Sequence, residues 1–225
     1  MGLFITFEGP EGGGKSTQAR LLYERLHTFG YPVILTREPG GTRISEMIRR
    51  VLMDLRNAEM TATTETLLFA AARAQLVSET IRPYLETGGI VLCDRYADST
   101  YAYQGYGLGR DLDELRAITA VATGGLMPDL TFYLELPVEE GLTRKRSARG
   151  RPETNPNTSV EWNRLDARDV AYHQRVADGF QALIEADPLR WRRLDALQPI
   201  DEVAFQIVRE VEPLLEGISR LEPKG

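Results

Sequence analysis

Residues 9–17 constrain the rest of the chain more than any other stretch. Gly9-Pro10-Glu11-Gly12-Gly13-Gly14-Lys15-Ser16-Thr17 contains Gly-x-x-x-x-Gly-Lys-Ser, a turn whose backbone N–H groups cradle phosphate oxygens. The flanks have the periods that such a turn needs. Leu3-Phe4-Ile5-Thr6-Phe7 is short, apolar and rich in β-branched and aromatic residues, so it reads as a buried strand. Gln18 to Phe29 carries Ala19, Leu22, Leu26 and Phe29 at helical spacing. Strand, glycine turn and helix together aim several amides and the positive end of a helix at one point, where Lys15 adds a full charge. Ser16 is placed to offer its hydroxyl to Mg2+ bound with the phosphates. Gly9, Pro10, Glu11, Gly12, Gly13, Gly14, Lys15, Ser16 and Thr17 are therefore the candidate nucleotide-holding residues.

Further short apolar runs recur between helical stretches. Val33-Ile34-Leu35-Thr36 reads as a second strand and ends in Arg37-Glu38-Pro39-Gly40-Gly41-Thr42, a loop at the carboxyl edge where open α/β sheets bind ligands. From position alone, Arg37 fits an anion contact or an ordinary surface arginine. Ile44 to Leu55 places Ile44, Met47, Ile48, Val51, Leu52 and Leu55 on one helix face. The next helix is expected to start near Thr63 or Thr64, with Glu65 just inside, and to run to about Leu85 with a kink at Pro83. Phe69 and Arg73 lie four apart on it and so share a face. Spacing alone favours Phe69 in the core and Arg73 in solvent, with a base-holding pair as the alternative.

Ile90-Val91-Leu92-Cys93-Asp94 is a third strand ending in an acid, the usual partner of a phosphate loop, since a carboxylate there can hold Mg2+ or its water shell. Arg95 follows at the same edge. Ala97 to Gln104 is dense in hydrogen-bonding groups, and Asp111 caps a helix running to about Thr123. Leu130 to Leu136 is strand four, and Val138 to about Arg146 is a helix. Arg144, Lys145, Arg146, Arg149 and Arg151 then merge into Pro152 to Ser159, a polar stretch without apolar period. It reads as a mobile basic lid, about residues 146–162. A long helix is expected from about Val160 to Ala186, a fifth strand from Arg190 to Leu194, and a last helix from Ile200 to Glu216. The expected fold is α/β: a doubly wound, five-stranded parallel sheet flanked by helices, as in P-loop NTPases. Residues 1–219 form a single domain and 220–225 a frayed tail.

Composition removes other classes. A net charge of −6 gives no global field for nucleic acid, so no nucleic-acid partner is expected. The lone Cys93 among 225 residues excludes an intramolecular disulfide framework and fits a reducing, cytoplasmic setting. No apolar run approaches transmembrane length, and no membrane partner is expected.

The motif alone fits a kinase, an ATPase, a GTPase switch or a non-catalytic nucleotide-binding regulator. No Asn-Lys-x-Asp segment is present for guanine. Cations recur at Arg37, Arg73, Arg95 and the basic stretch, as a second phosphate-bearing substrate requires when charge builds up on a migrating phosphoryl group. The chain resembles the thymidylate kinases over nearly its whole length. Phe7 to Thr17 looks like that family's phosphate loop. Arg37-Glu38-Pro39-Gly40-Gly41-Thr42, Phe69 with Arg73, Asp94-Arg95-Tyr96, Ser99-Thr100-Tyr101-Ala102-Tyr103-Gln104, Pro128-Asp129-Leu130-Thr131 and Asp195-Ala196 follow in the family's order.

The resemblance implies phosphoryl transfer from MgATP to dTMP, giving dTDP, for dTTP synthesis. Another nucleoside or nucleotide kinase and the non-catalytic regulator stay as alternatives. It implies that Lys15 and the loop amides hold ATP, with Ser16 and Asp94 on the metal and Ala196 beside the nucleotide. Glu11 would accept from the acceptor's 3′-hydroxyl, and Arg95 with Arg37 would hold the acceptor phosphate. Phe69 would stack on thymine, Arg73 would donate to its carbonyl, Ser99, Thr100 and Gln104 would complete the pyrimidine site, and Tyr103 would crowd the 2′ position. One branch of the family carries a catalytic arginine in the phosphate loop. Here that place is Gly12-Gly13, so the cation is expected from the lid: Arg149 first, then Arg151 and Arg146, with Arg164 a further candidate. The family also implies a homodimer, for which the Ile44–Leu55 and Thr64–Leu85 helices are candidate surfaces. Two departures stand out: Ala72 where the family often has Asp, and an insertion of about ten residues (Pro152 to Trp162) before Asn163-Arg164-Leu165-Asp166.

Overall fold

The computed structural model describes residues 2–148 and 162–221. Five strands, β1 (Leu3–Glu8), β2 (Val33–Arg37), β3 (Ile90–Asp94), β4 (Leu130–Glu135) and β5 (Trp191–Asp195), form one sheet in the order β2-β3-β1-β4-β5. Every pairing is parallel, so every strand's carboxyl end lies along one edge. The register aligns Phe7 and Arg37 with Asp94, and Glu8 with Tyr133. That alignment gathers the chemistry-bearing strand ends.

Helices cover both faces, which is why the inner strands β1, β3 and β4 are buried along nearly their whole length, whereas the edge strands β2 and β5 carry exposed residues. Leu3, Ile5 and Phe7 point to one face and pack with Leu22 and Leu26 of α1 (Lys15–Thr28) and Val203 and Ile207 of α9 (Ile200–Val211). Phe4 points to the other, with Leu76, Ile81 and Leu115. Each such fully buried side chain contributes about 1.5–3 kcal/mol. The opposite face is covered by α3 (Ala62–Leu76), α4 (Arg82–Glu86), α5 (Ala97–Thr100) and α6 (Leu112–Thr123), and α2 (Arg43–Met53) packs on α3.

Several boundaries differ from the sequence expectation, each for a local reason. Helix α3 is capped by Thr61, whose hydroxyl accepts from the Thr64 N–H, rather than by Thr63 or Thr64. Between α3 and α4 the chain widens into a π-helical turn, Val77–Ile81, next to Pro83, which withholds its N–H. Tyr101–Gly107 is π-helical as well. Helix α7 (Val138–Ala148) runs two residues past its expected end near Arg146, so Arg146 lies within the helix. The long helix α8 (Val170–Ala186) starts ten residues later than the expected Val160. Asn163 Oδ1 accepts from the Leu165 and Asp166 N–H groups, and Asp169 Oδ1 caps Tyr172. These short polar side chains hold residues 163–168 in turns instead of a helix. Helix α9 ends at Val211 and passes into a 3₁₀ turn, Glu212–Leu215. The expected frayed tail is anchored as far as Leu221, whose N–H donates to the Gly30 carbonyl at 2.7 Å.

Candidate functional site

The phosphate loop fills the gap between β1 and α1. Gly14 is the N-cap of α1 at φ 86°, a left-handed conformation that only glycine adopts without strain. Gly12, at φ 72°, touches α7: an added Cβ would strike the Gly141 carbonyl oxygen. The missing loop arginine thus has a steric counterpart, since α7 presses onto the backbone where that side chain would begin. Lys15 is buried and donates to the Pro10 carbonyl at 2.7 Å. Burial, together with the charge of Arg95, lowers its pKa to about 8. Incoming phosphates would reverse that by supplying negative charge. Ser16 Oγ donates to Asp94 Oδ2. One hydroxyl from the first turn of α1 and one carboxylate from the end of β3 are hard oxygen donors, and Mg2+ beside phosphates uses one or two such protein ligands. This pair therefore fits the ion. Among the described residues no larger cluster of acidic, histidine or cysteine side chains forms a metal cage.

Arg95 joins this loop to the neighbouring strand. Its backbone has φ 70°, a conformation that costs a non-glycine residue about 1–3 kcal/mol and persists where the surroundings impose it. Its N–H donates to Phe7 O at 3.0 Å. Nη1 donates to Gly9 O at 3.1 Å and to Ser99 Oγ at 3.3 Å, and Nη2 to Glu11 Oε1 at 2.7 Å. Tyr103 lies under the guanidinium at 4.9 Å and donates its hydroxyl to the same Glu11 oxygen at 3.2 Å. Burial opposes ionisation of Glu11, but Arg95, Lys145 and Lys15 outweigh it and hold the carboxyl well below the ordinary carboxylate value. Glu8 lies fully buried beneath, accepting from Tyr96 N and Ser99 Oγ at 2.8 and 2.6 Å. Burial raises its pKa to about 7.

The wall across from the loop contains the expected base-reading residues, in part rearranged. Arg73 is not in solvent: it is 2% exposed. Its Nε donates to Glu38 Oε2 at 2.7 Å, Nη1 to Thr100 Oγ1 at 3.0 Å and Nη2 to Tyr96 O at 3.0 Å. Phe69, one turn away, is half-buried. Gln104, also buried, donates to Glu65 Oε1 at 2.8 Å. Arg37 is directed to Glu46 at 3.3 Å rather than to Arg95, although the register places it beside Asp94. Ala196 stands at the end of β5, where its carbonyl accepts from Arg144 Nη1 at 3.1 Å.

The basic stretch is represented by its two roots. Arg149 and Arg151 lie outside the described residues. Arg146 is exposed, with its guanidinium 5.3 Å from the centre of the Trp162 ring. Lys145, which the sequence did not single out, donates to Glu11 Oε2 at 2.9 Å and to Asp166 Oδ1 at 2.6 Å. It connects α7, the phosphate loop and the 163–168 turns. Arg164 and Arg168 both donate to Glu65 Oε2 at 2.5 Å. Glu8, Glu38, Glu65, Lys145 and Asp166 were given no role by the sequence. Glu8, Glu38, Lys145 and Asp166 adjoin or lie within stretches already quoted, whereas Glu65 was read only as a residue of the first helical turn.

Comparison with known proteins places the chain among its relatives. The sequence profile of a family described as thymidylate kinase matches residues 7–207. A thymidylate kinase from Roseiflexus castenholzii is 67% identical over 224 residues, covering 99% of this chain and 98% of the relative. One from Herpetosiphon aurantiacus is 58% identical over 235 residues, covering 98% and 100%. Among solved structures, thymidylate kinase from Ehrlichia chaffeensis superposes with a TM-score of 0.72 at 30% identity, covering 93% of this chain and 98% of that one.

Proposed function

The chain belongs to the thymidylate kinase family, and from that premise we propose that it transfers the γ-phosphoryl group of ATP, with Mg2+, to dTMP, giving dTDP and ADP. The observation that carries the assignment of roles is the bond from Arg95 to Gly9 and Glu11. A cation suited to an acceptor phosphate is held directly against the loop that holds the donor phosphates. Two polyanions repel, and the migrating group passes through a charge-spread transition state that positioned cations stabilise.

Lys15 and the loop amides hold the donor phosphates, with Ser16 and Asp94 on the metal, which neutralises charge between the two phosphates being parted. Ala196 lies beside the donor base. Arg95, helped by Arg37 after it leaves Glu46, aligns the acceptor phosphate. Glu11 exchanges part of its present set of donors for the acceptor's 3′-hydroxyl, and Tyr103 crowds the 2′ position. Phe69 stacks on thymine, with Arg73, Ser99, Thr100 and Gln104 around its polar edge. Arg149, Arg151 and Arg146 supply the cation that Gly12 and Gly13 cannot, and the basic stretch excludes the water that would otherwise accept the phosphoryl group.

A single domain, residues 1–219, carries all of this. Two copies pair through the Ile44–Leu55 and Thr64–Leu85 stretches. Supporting that pairing, Met47 and Val51 of α2 and Leu67 of α3 are 53%, 45% and 52% exposed, apolar side chains that a second copy would cover. The chain works in the cytoplasm, where ATP is available and a buried free thiol such as Cys93 stays reduced.

Purified protein with MgATP and a panel of acceptors tests the assignment. dTDP formation from dTMP, with little from thymidine, is the expected result. Turnover of thymidine but not dTMP would make it a nucleoside kinase. Tight ATP binding without transfer to any monophosphate would make it a regulator.

A further inference from the structure

Two buried carboxylates, Glu65 and Glu38, hold Gln104 and Arg73, the residues assigned to the polar edge of the base. Glu65 has no exposed surface. Arg164 Nη2 and Arg168 Nη2 each reach its Oε2 at 2.5 Å. Arg164 is held further by Nε to Leu52 O at 3.1 Å, and Arg168 by stacking on Tyr172 at 4.4 Å. With two guanidinium groups on one oxygen, this carboxylate has only lone pairs to present on the other. The Gln104 amide beside it must therefore present an N–H, as it does at 2.8 Å. Its carbonyl oxygen is then turned away from Glu65. The second carboxylate, Glu38, fixes Arg73 at 2.7 Å. Arginine only donates, so Thr100 Oγ1 is the acceptor in their 3.0 Å bond, and the hydroxyl proton is left for another partner.

We propose that Glu65 is a specificity-positioning residue: by fixing which end of the Gln104 amide is turned toward the base, it makes the pocket select a pyrimidine with a carbonyl at C4 and an N–H at N3 over one with an amino group at C4 and a bare N3. Donors from Arg73 and Thr100 meet the C4 carbonyl, and the Gln104 carbonyl meets the N3 hydrogen. A 4-amino pyrimidine presents the reverse pattern, a donor against donors and a lone pair against a carbonyl. Buried mismatches of that kind are discriminated far more strongly than a missing methyl group. The 163–168 turns take part, because Arg164 and Arg168 keep Glu65 an acceptor. This inference rests on thymine lying against Thr100 and Gln104.

The test compares dTMP with 5-methyl-dCMP, which differ only along the edge in question. In E65Q the residue 65 amide can donate or accept, so both orientations of Gln104 become available. The ratio of kcat/KM for dTMP over 5-methyl-dCMP should fall by about tenfold or more. A merely structural role for Glu65 would lower both activities alike and leave the ratio unchanged, which would overturn the proposal. Q104L is the companion arm. It should also collapse the ratio; if it does not, the base is not read at Gln104, and both the base-site reading and this proposal fall. If Q104L collapses the ratio and E65Q does not, the base-site reading stands and the proposal fails. Should E65Q not fold, E65Q/R168M, which removes one of the two guanidinium groups left unmatched, carries the same comparison.

Discussion

Replacing Glu8 by Gln should flatten the pH dependence of stability. Glu8 closes β1 directly under the phosphate loop, has no exposed surface, and is pushed by burial from 4.5 to about 7. An unfolded chain releases this proton near pH 4.5, whereas the folded chain keeps it to about pH 7. Between those values the folded state binds more protons, so stability falls as pH rises. The contribution is present in full below about pH 4.5 and is lost by about pH 7 and above. Each pH unit carries about 1.4 kcal/mol, so the window amounts to about 3 kcal/mol. Gln mimics the protonated form: its carbonyl accepts from Tyr96 N, and its amide donates to Ser99 Oγ in place of the present bonds. Urea unfolding of wild type and E8Q at pH 5, 6, 7 and 8 measures the difference. The difference should grow by about 2.5 kcal/mol in favour of E8Q between pH 5 and pH 8, since part of the window lies below pH 5. Glu38, also raised to about 7, and Asp166, raised to about 6, both by burial, tilt both proteins alike and cancel. Parallel curves for the two proteins would refute the account of Glu8 as a proton held by burial.

Lys15→Ala should lower kcat by about a hundredfold or more, because it removes a preorganised cation from the transferring phosphates; unaltered circular dichroism with near-normal turnover would remove Lys15 from the mechanism. Phe69→Ala should raise KM for dTMP while changing kcat little, as loss of stacking that is equal in ground and transition states does; steady-state kinetics in both substrates decides it. Met47→Asp, on the exposed face of α2, should convert a dimer to a monomer in sedimentation analysis, and an unchanged mass would exclude that face. Gly12→Ala should destabilise the chain by about 1–3 kcal/mol, through its left-handed φ and the collision with Gly141; thermal unfolding reads this directly.

What was legible in the sequence was whatever depends on local pattern. Short apolar runs gave strands β1 to β4, and one glycine-rich motif placed the donor end of the site. Parallel order then brings Glu8, Arg37 and Asp94 to the same edge without further information. The base-site candidates came from resemblance, because helical spacing alone misjudged Arg73. Its burial depends on Glu38, thirty-five positions away, and a buried arginine reads like an exposed one until its partner is known. Asn163, Asp166 and Asp169 were misread for a related reason. Side chains that cap and turn the backbone do not disturb an apolar period on either side, so the helix was extended through them.

The residues that escaped have something in common that bears on how the site works. Glu38, Glu65, Lys145 and Asp166 each make their principal contact with a side chain far along the chain, and none needs to touch a substrate. Lys145 alone ties α7 to the phosphate loop through Glu11 and to the 163–168 turns through Asp166. Burial disfavours its charge, yet Glu11 and Asp166 raise its pKa overall, so the strap holds as an ammonium across neutral pH. The Glu11 carboxylate thus enters the reaction with Arg95, Tyr103 and Lys145 already on it. An acceptor hydroxyl that claims one of its lone pairs must displace or share one of these donors. Lys145 is also bound to Asp166, in the turns that carry Arg164 and Arg168, and those two arginines hold Glu65, which in turn holds Gln104. On the proposed roles, one continuous series of polar contacts therefore runs from Glu11, assigned to the sugar, to Gln104, assigned to the base, through residues dispersed in sequence and adjacent only in the fold.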